Sequence, residues 1–169
     1  MKLFLKFLAN TIAALLAAGF LVAAPTAIPT SASAETIISQ LGIDIDSEAA
    51  GDQSGRSVSL SSDGTRVAIG ALYNDGTASN AGHVRVYEYS GGTWNQLGSD
   101  IDGEAAGDLS GYSVSLSSDG TRVAIGAPYN DGNGNSSGHV RIYEFSGGTW
   151  TQLGSDIDGE AIFDQSGWS

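Results

Sequence analysis

From residue 57 onward the chain is written in short alternating runs. Ser57-Val58-Ser59-Leu60 alternates polar and apolar residues, Ser61-Ser62-Asp63-Gly64-Thr65 supplies Asp-Gly turn chemistry, and Arg66-Val67-Ala68-Ile69 alternates again. A period of two sends successive side chains to opposite faces, so this stretch predicts a β-hairpin. A loop rich in Asn, Asp and Gly over 73–82 leads to a third predicted strand, His83-Val84-Arg85-Val86-Tyr87-Glu88-Tyr89, in which Val84 and Val86 share one face. Ser90-Gly91-Gly92-Thr93 then turns the chain into a short fourth strand from Trp94 to Leu97. No stretch beyond residue 35 carries helical periodicity.

The pattern then starts over. Residues 40–95 align without a gap on residues 96–151 and differ at only 13 of 56 positions, five of them in the loop at 77–81 and its partners. A third copy begins at Gln152 and runs to Ser169. A fixed period of this size marks solenoids, propellers or arrays, in which each unit buries its apolar face against the next. Four short antiparallel strands per 56 residues is the content of one propeller blade. The expected fold is therefore all-β, an incomplete β-propeller of four-stranded antiparallel blades, with units at 40–95 and 96–151 and a partial third at 152–169.

Three stretches of the second unit carry a family resemblance: Ser110-Gly111-Tyr112-Ser113-Val114, Val123-Ala124-Ile125-Gly126-Ala127-Pro128 and Gly138-His139-Val140-Arg141-Ile142-Tyr143. Together they resemble the FG-GAP repeat of integrin alpha-chain propellers and their microbial relatives. Ser-Gly stands where the family has Phe-Gly, and Gly126-Ala127-Pro128 matches the GAP element, whereas the first unit departs from it at Leu72. The resemblance implies a seven-bladed extracellular propeller used for adhesion or ligand binding; at this period such a ring needs about 390 residues. Many relatives place an Asp-rich calcium loop between the two elements, but here that stretch is Ser117-Ser118-Asp119-Gly120-Thr121. One carboxylate does not supply the roughly six to eight oxygens Ca²⁺ prefers, so that site is not carried over. The Gly91-Gly92 doublet also suits a kelch repeat, which ranks second and predicts the same architecture.

Before the repeats lies a different composition. Lys2 and Lys6 precede an apolar run from Phe7 to Ala24, and Ser31-Ala32-Ser33-Ala34 ends in an A-x-A pattern. Residues 1–34 thus read as an export signal cleaved between Ala34 and Glu35, the alternative being an uncleaved anchor helix. Localisation is expected to be secreted or at the cell surface, with no membrane span left after cleavage. The whole chain has a formal charge of −12, but both lysines lie in the leader, so residues 35–169 carry five arginines against all 19 acids, or −14. Such a charge excludes a nucleic-acid backbone as the default partner and disfavours anionic lipid. Without cysteine there is neither a disulfide scaffold nor a thiolate metal site.

Acids concentrate where the repeats begin. Asp100, Asp102, Glu104 and Asp108 recur as Asp44, Asp46, Glu48 and Asp52 and as Asp156, Asp158, Glu160 and Asp164, twelve of the 19 acids. Alternate acids in an extended segment point to one side, as a Ca²⁺ site requires. The competing reading, which the spacing favours, is a linker whose carboxylates cap turns or pair with arginines. Asp131, Asn133 and Asn135 present oxygens at alternate positions like the start of a calcium loop, although the first unit does not keep them. Asn135-Ser136-Ser137 is also a glycosylation sequon.

Nothing here assembles a catalytic triad. Cysteine is absent, and His83 and His139 occupy equivalent repeat positions, which reads as structural. Gly51-Asp52-Gln53-Ser54-Gly55 and its copy read as turns leading into the blades. The expectation is a non-catalytic binding or adhesion module for a protein or carbohydrate ligand, without a cofactor beyond the candidate Ca²⁺. Its ring would be completed by further chain or by a homo-oligomer. An accessory segment of a secreted hydrolase, or a truncated gene product, is the alternative.

Overall fold

Each alternating run becomes a strand in the computed structural model, which describes residues 39–169; the expected leader and its cleavage pair Ala34 and Glu35 lie outside the described residues. In the first blade β1 (Ser57–Leu60) pairs antiparallel with β2 (Arg66–Ala71), β2 with β3 (His83–Ser90), and β3 with β4 (Thr93–Gln96). The Asp-Gly turn behaves as its composition demands. Asp63 Oδ1 accepts from Ser61 Oγ at 2.7 Å, the Thr65 amide at 3.0 Å and Thr65 Oγ1 at 2.9 Å, closing the hairpin with its own loop.

β3 is eight residues long and β4 covers only its C-terminal half, which leaves edge amides and carbonyls at the other half needing partners. The next repeat supplies them. Leu97 donates its amide to Val86 O at 2.7 Å, and β5 (Ile101–Asp102) then returns to the same edge, pairing Asp102 with His83 and Ile101 with Val84. Gly82 bridges in parallel to Ser110, and Gly103 N reaches Gly82 O at 2.8 Å. The structural blade is thus displaced from the sequence repeat. Each blade is finished by the leading residues of the following unit.

The second blade repeats this with β6 (Ser113–Leu116), β7 (Arg122–Ala127), β8 (His139–Ser146), β9 (Thr149–Gln152) and β10 (Ile157–Asp158). Residues 152–169 serve it as 96–113 serve the first: β10 pairs with β8, and Ser166 bridges Gly138. What reads in sequence as the start of a third blade completes the second. The described residues are all-β, two antiparallel blades of an incomplete propeller.

The core lies between the two blades. Ala68, Val84 and Val86 from one face of the first meet Leu116, Val123 and Ile125 from the opposite face of the second, with Ile101 beside its cross-strand partner Val84 in the same cluster. Trp150 closes the outer end, its indole nitrogen donating to Leu97 O at 2.7 Å and its ring lying 5.1 Å from that of Phe145. The glycine of the GAP element is dictated by this contact. A Cβ at Gly70 would collide with the carbonyl oxygen of Gly111, which already accepts from Ser57 Oγ at 2.7 Å; Gly126 stands in the same relation to Gly167 and Ser113.

Candidate functional site

The acids at the head of each unit do not converge on a single point. Asp100 and Asp102 alternate along the extended approach to β3 and belong to the first blade, where Asp102 is paired with His83. Burial raises the Asp102 pKa above the ordinary carboxylate value, and the neighbouring charge of Asp100 adds to it. Glu104 turns to the second blade and pairs with Arg141. Asp108 is buried, accepting from Asn130 Nδ2 at 2.9 Å and from the Ala105 amide at 3.1 Å. Asp52 does the same with Asn74 and Ala49. These two aspartates staple a turn to the loop that follows β2 or β7.

Two mixed clusters emerge instead, one per blade. His83 and Arg85 alternate on β3 and so share a face, and Glu48 reaches them from the same unit while Asp100 arrives from the next. His83 Nδ1 lies 3.6 Å from Asp100 Oδ2 and 3.8 Å from Glu48 Oε2. In the second blade His139 Nδ1 lies 3.7 Å from Asp156 Oδ2, with Glu104 as the third member. The ligand atoms in each trio all lie within 4.8 Å of one another. Both imidazoles are nearly sealed, at 1% and 3% exposure, and neither Nδ1 has a hydrogen-bond partner.

The arginines distinguish the clusters. Arg141 grips both oxygens of Asp156, at 2.8 Å and 2.7 Å, and also contacts Glu104. These bonds hold the Asp156 carboxyl down at about 2 and raise the Arg141 pKa against the desolvation that would lower it. Burial, and after it the Arg141 charge, pushes His139 below the ordinary imidazole value. Arg85 is turned aside: its Nη2 donates to the Asp46 carbonyl at 2.8 Å, and it reaches Glu48 only at 3.7 Å.

Asp131, Asn133 and Asn135 are drawn into loop packing. Asp131 Oδ1 accepts from the Ser136 amide at 2.7 Å, Asn133 Nδ2 donates to Gly159 O at 2.8 Å, and the Asn135 carbonyl accepts from the Phe163 amide at 2.9 Å. Asn135 is exposed, whereas the sequon hydroxyl of Ser137 is fully buried.

One surface feature crosses the described residues. Gln53, Leu109 and Gln165 hold positive φ of 54°, 56° and 52° at equivalent points, and each accepts a hydrogen bond at 3.1 Å from the amide three residues on, that of Arg56, Tyr112 or Trp168. Non-glycine residues resist this conformation, so its repetition marks a turn imposed by its surroundings. It presents the most chemically varied side chain of the repeat. The Arg56 guanidinium lies 5.1 Å above the Tyr112 ring, whose centroid is 4.6 Å from that of Trp168, and Tyr129 flanks Trp168 at 6.1 Å.

No curated protein matches the chain. The family model of the FG-GAP repeat matches residues 46–87 and 101–143, so that its two copies each fall on β1 to β3 or their equivalents together with the acidic segment leading into them. With its two blades, their glycine-tight contacts and this double match, the chain belongs to the FG-GAP repeat family and has the build of a β-propeller-type binding module.

Proposed function

We propose that the chain is a secreted or cell-surface, non-catalytic module that binds a protein or carbohydrate through the row formed by Arg56, Tyr112 and Trp168. The row itself carries this reading. Repeats that are otherwise nearly identical place three different large side chains at one position, on a turn whose backbone is held in an unfavourable conformation. Neighbouring aromatic and guanidinium groups, the Tyr112 and Trp168 rings tilted by 40° to each other, offer flat faces that suit a sugar ring or apolar protein side chains. Trp168 is 47% exposed and leads the row into solvent. The A-x-A leader supports export.

The test has two parts. Protein recovered from the medium or cell surface should begin at Glu35 on N-terminal sequencing. Retention on immobilised polysaccharides and on cell-surface protein fractions should fall at least tenfold in Trp168→Ala and Tyr112→Ala and stay unchanged in Asn95→Ala. Retention indifferent to both aromatic substitutions would overturn the row as the binding surface.

A further inference from the structure

We propose that Glu48, His83 and Asp100 form a site for a borderline divalent transition-metal ion of the Zn²⁺ type, and that Glu104, His139 and Asp156 form a weaker copy one blade on. The argument starts from the histidines. A buried imidazole nitrogen without a partner is costly, and here the same atom is left bare twice, each time aimed between two carboxylates. At 3.6 and 3.8 Å the carboxylate oxygens stand beyond hydrogen-bond range of His83 Nδ1. They are close to where co-ligands belong. Ligand atoms about 2.1 Å from a tetrahedral ion lie about 3.4 Å from one another, so the two imidazole–carboxylate distances need to contract by only a few tenths of an ångström, and all three ligand atoms already lie within 4.8 Å of one another.

Ligand type selects the ion. One imidazole nitrogen with two carboxylates suits Zn²⁺, Mn²⁺ or Co²⁺, whereas Ca²⁺ seeks a larger set of oxygens and gains little from nitrogen. Three protein ligands leave a coordination position free, and Glu48, whose side chain is 46% exposed, stands on the solvent side. The arginines rank the copies. In the second blade Arg141 already neutralises Asp156 and Glu104 and must be displaced, while in the first Arg85 is diverted to the Asp46 carbonyl. Because Asp100 comes from the following repeat, a metal held here would pin that segment to the first blade and stabilise it.

Calorimetric titration of the full chain with ZnCl₂, beside CaCl₂ at matched ionic strength, tests this. One saturable Zn²⁺ equivalent followed by a weaker second is expected, with a rise in melting temperature that millimolar Ca²⁺ neither reproduces nor competes away. Glu48→Gln, a half-exposed and nearly isosteric change, should weaken the first event at least tenfold, whereas Asp131→Asn should leave it unaltered. Nitrogen NMR should show Zn²⁺ shifting the Nδ1 signal of His83 before that of His139. The absence of saturable Zn²⁺ binding, binding indifferent to Glu48→Gln, or equal competition by Ca²⁺ would each overturn the site.

Discussion

A methyl group at position 70 has nowhere to go. Gly111 O and Ser57 Oγ already fill the space, so Gly70→Ala should force the blades apart and cost about 2–3 kcal/mol in chemical denaturation. Gly91 makes the useful contrast: its φ is 62°, but no atom lies within 4 Å of the added carbon, so Gly91→Ala should cost only about 1 kcal/mol of backbone strain. Ser137 points the other way. Its buried hydroxyl has no partner, and the first blade carries Ala81, also fully buried, at the same place. Ser137→Ala should therefore stabilise the protein by about 1 kcal/mol, and a loss of stability would mean that the hydroxyl is satisfied after all. Acid sensitivity also belongs to single residues. Hydrogen bonds from the Thr65 amide, Ser61 and Thr65 hold Asp63 at about 2, and Ser117 and Thr121 do the same for Asp119. A carboxyl whose pKa is lower folded than unfolded contributes stability above its unfolded value and loses it as pH falls through the folded one. The melting temperature should thus decline from about pH 4 toward 2, and the decline should be shallower in an Asp63→Asn, Asp119→Asn double variant.

At the scale of elements, the decisive feature is the dependence of each blade on the unit that follows. Removing residues 153–169 deletes β10 and the Ser166 bridge. Hydrogen exchange should then show β8 losing protection at its N-terminal half while β3, still paired to β5, keeps it. The hairpins, the third strand and the period were legible in the sequence because alternation and Asp-Gly turn chemistry are local. β5 was not. It is two residues, Ile101 and Asp102, inside a run of acids, and only the unpaired half of β3 calls it into a strand. The site was half legible for the same reason. The alternation of the acids is visible in the sequence, and Asp100 and Asp102 both end beside His83, but the division of Asp100 to one blade and Glu104 to the next depends on chain path. His83 and His139 read as structural because they are copied, yet copying is what a site built into every blade requires. The missed signal was the His-x-Arg alternation on the third strand facing the acids.

For the whole molecule, one internal interface predicts the behaviour of the two open faces. Val58 and Leu60 are 58% and 56% exposed on the first blade, whereas Leu116, the repeat partner of Leu60, is 9% exposed against its neighbour. On the far side of the second blade, Ala124, Gly126 and Val140 line a shallow pocket at the positions where the first blade has its packed core. The two surfaces are the unmatched halves of a contact the chain already makes, so residues 35–169 should associate head to tail with a second copy. Sedimentation velocity should show concentration-dependent association that Leu60→Asp abolishes without unfolding, whereas Leu116→Asp should unfold the second blade; a concentration-independent monomer would rule the association out.

The displacement between repeat and blade also sets an order in time. As the chain emerges from a ribosome or an export channel, the first blade has its four long strands once Gln96 is out, yet its sealing contacts at Ile101, Ser110 and Gly111 belong to residues still to come. Every blade therefore waits for its successor to begin, and the chain closes behind itself like a zip whose slider always runs one segment ahead of the teeth it has locked.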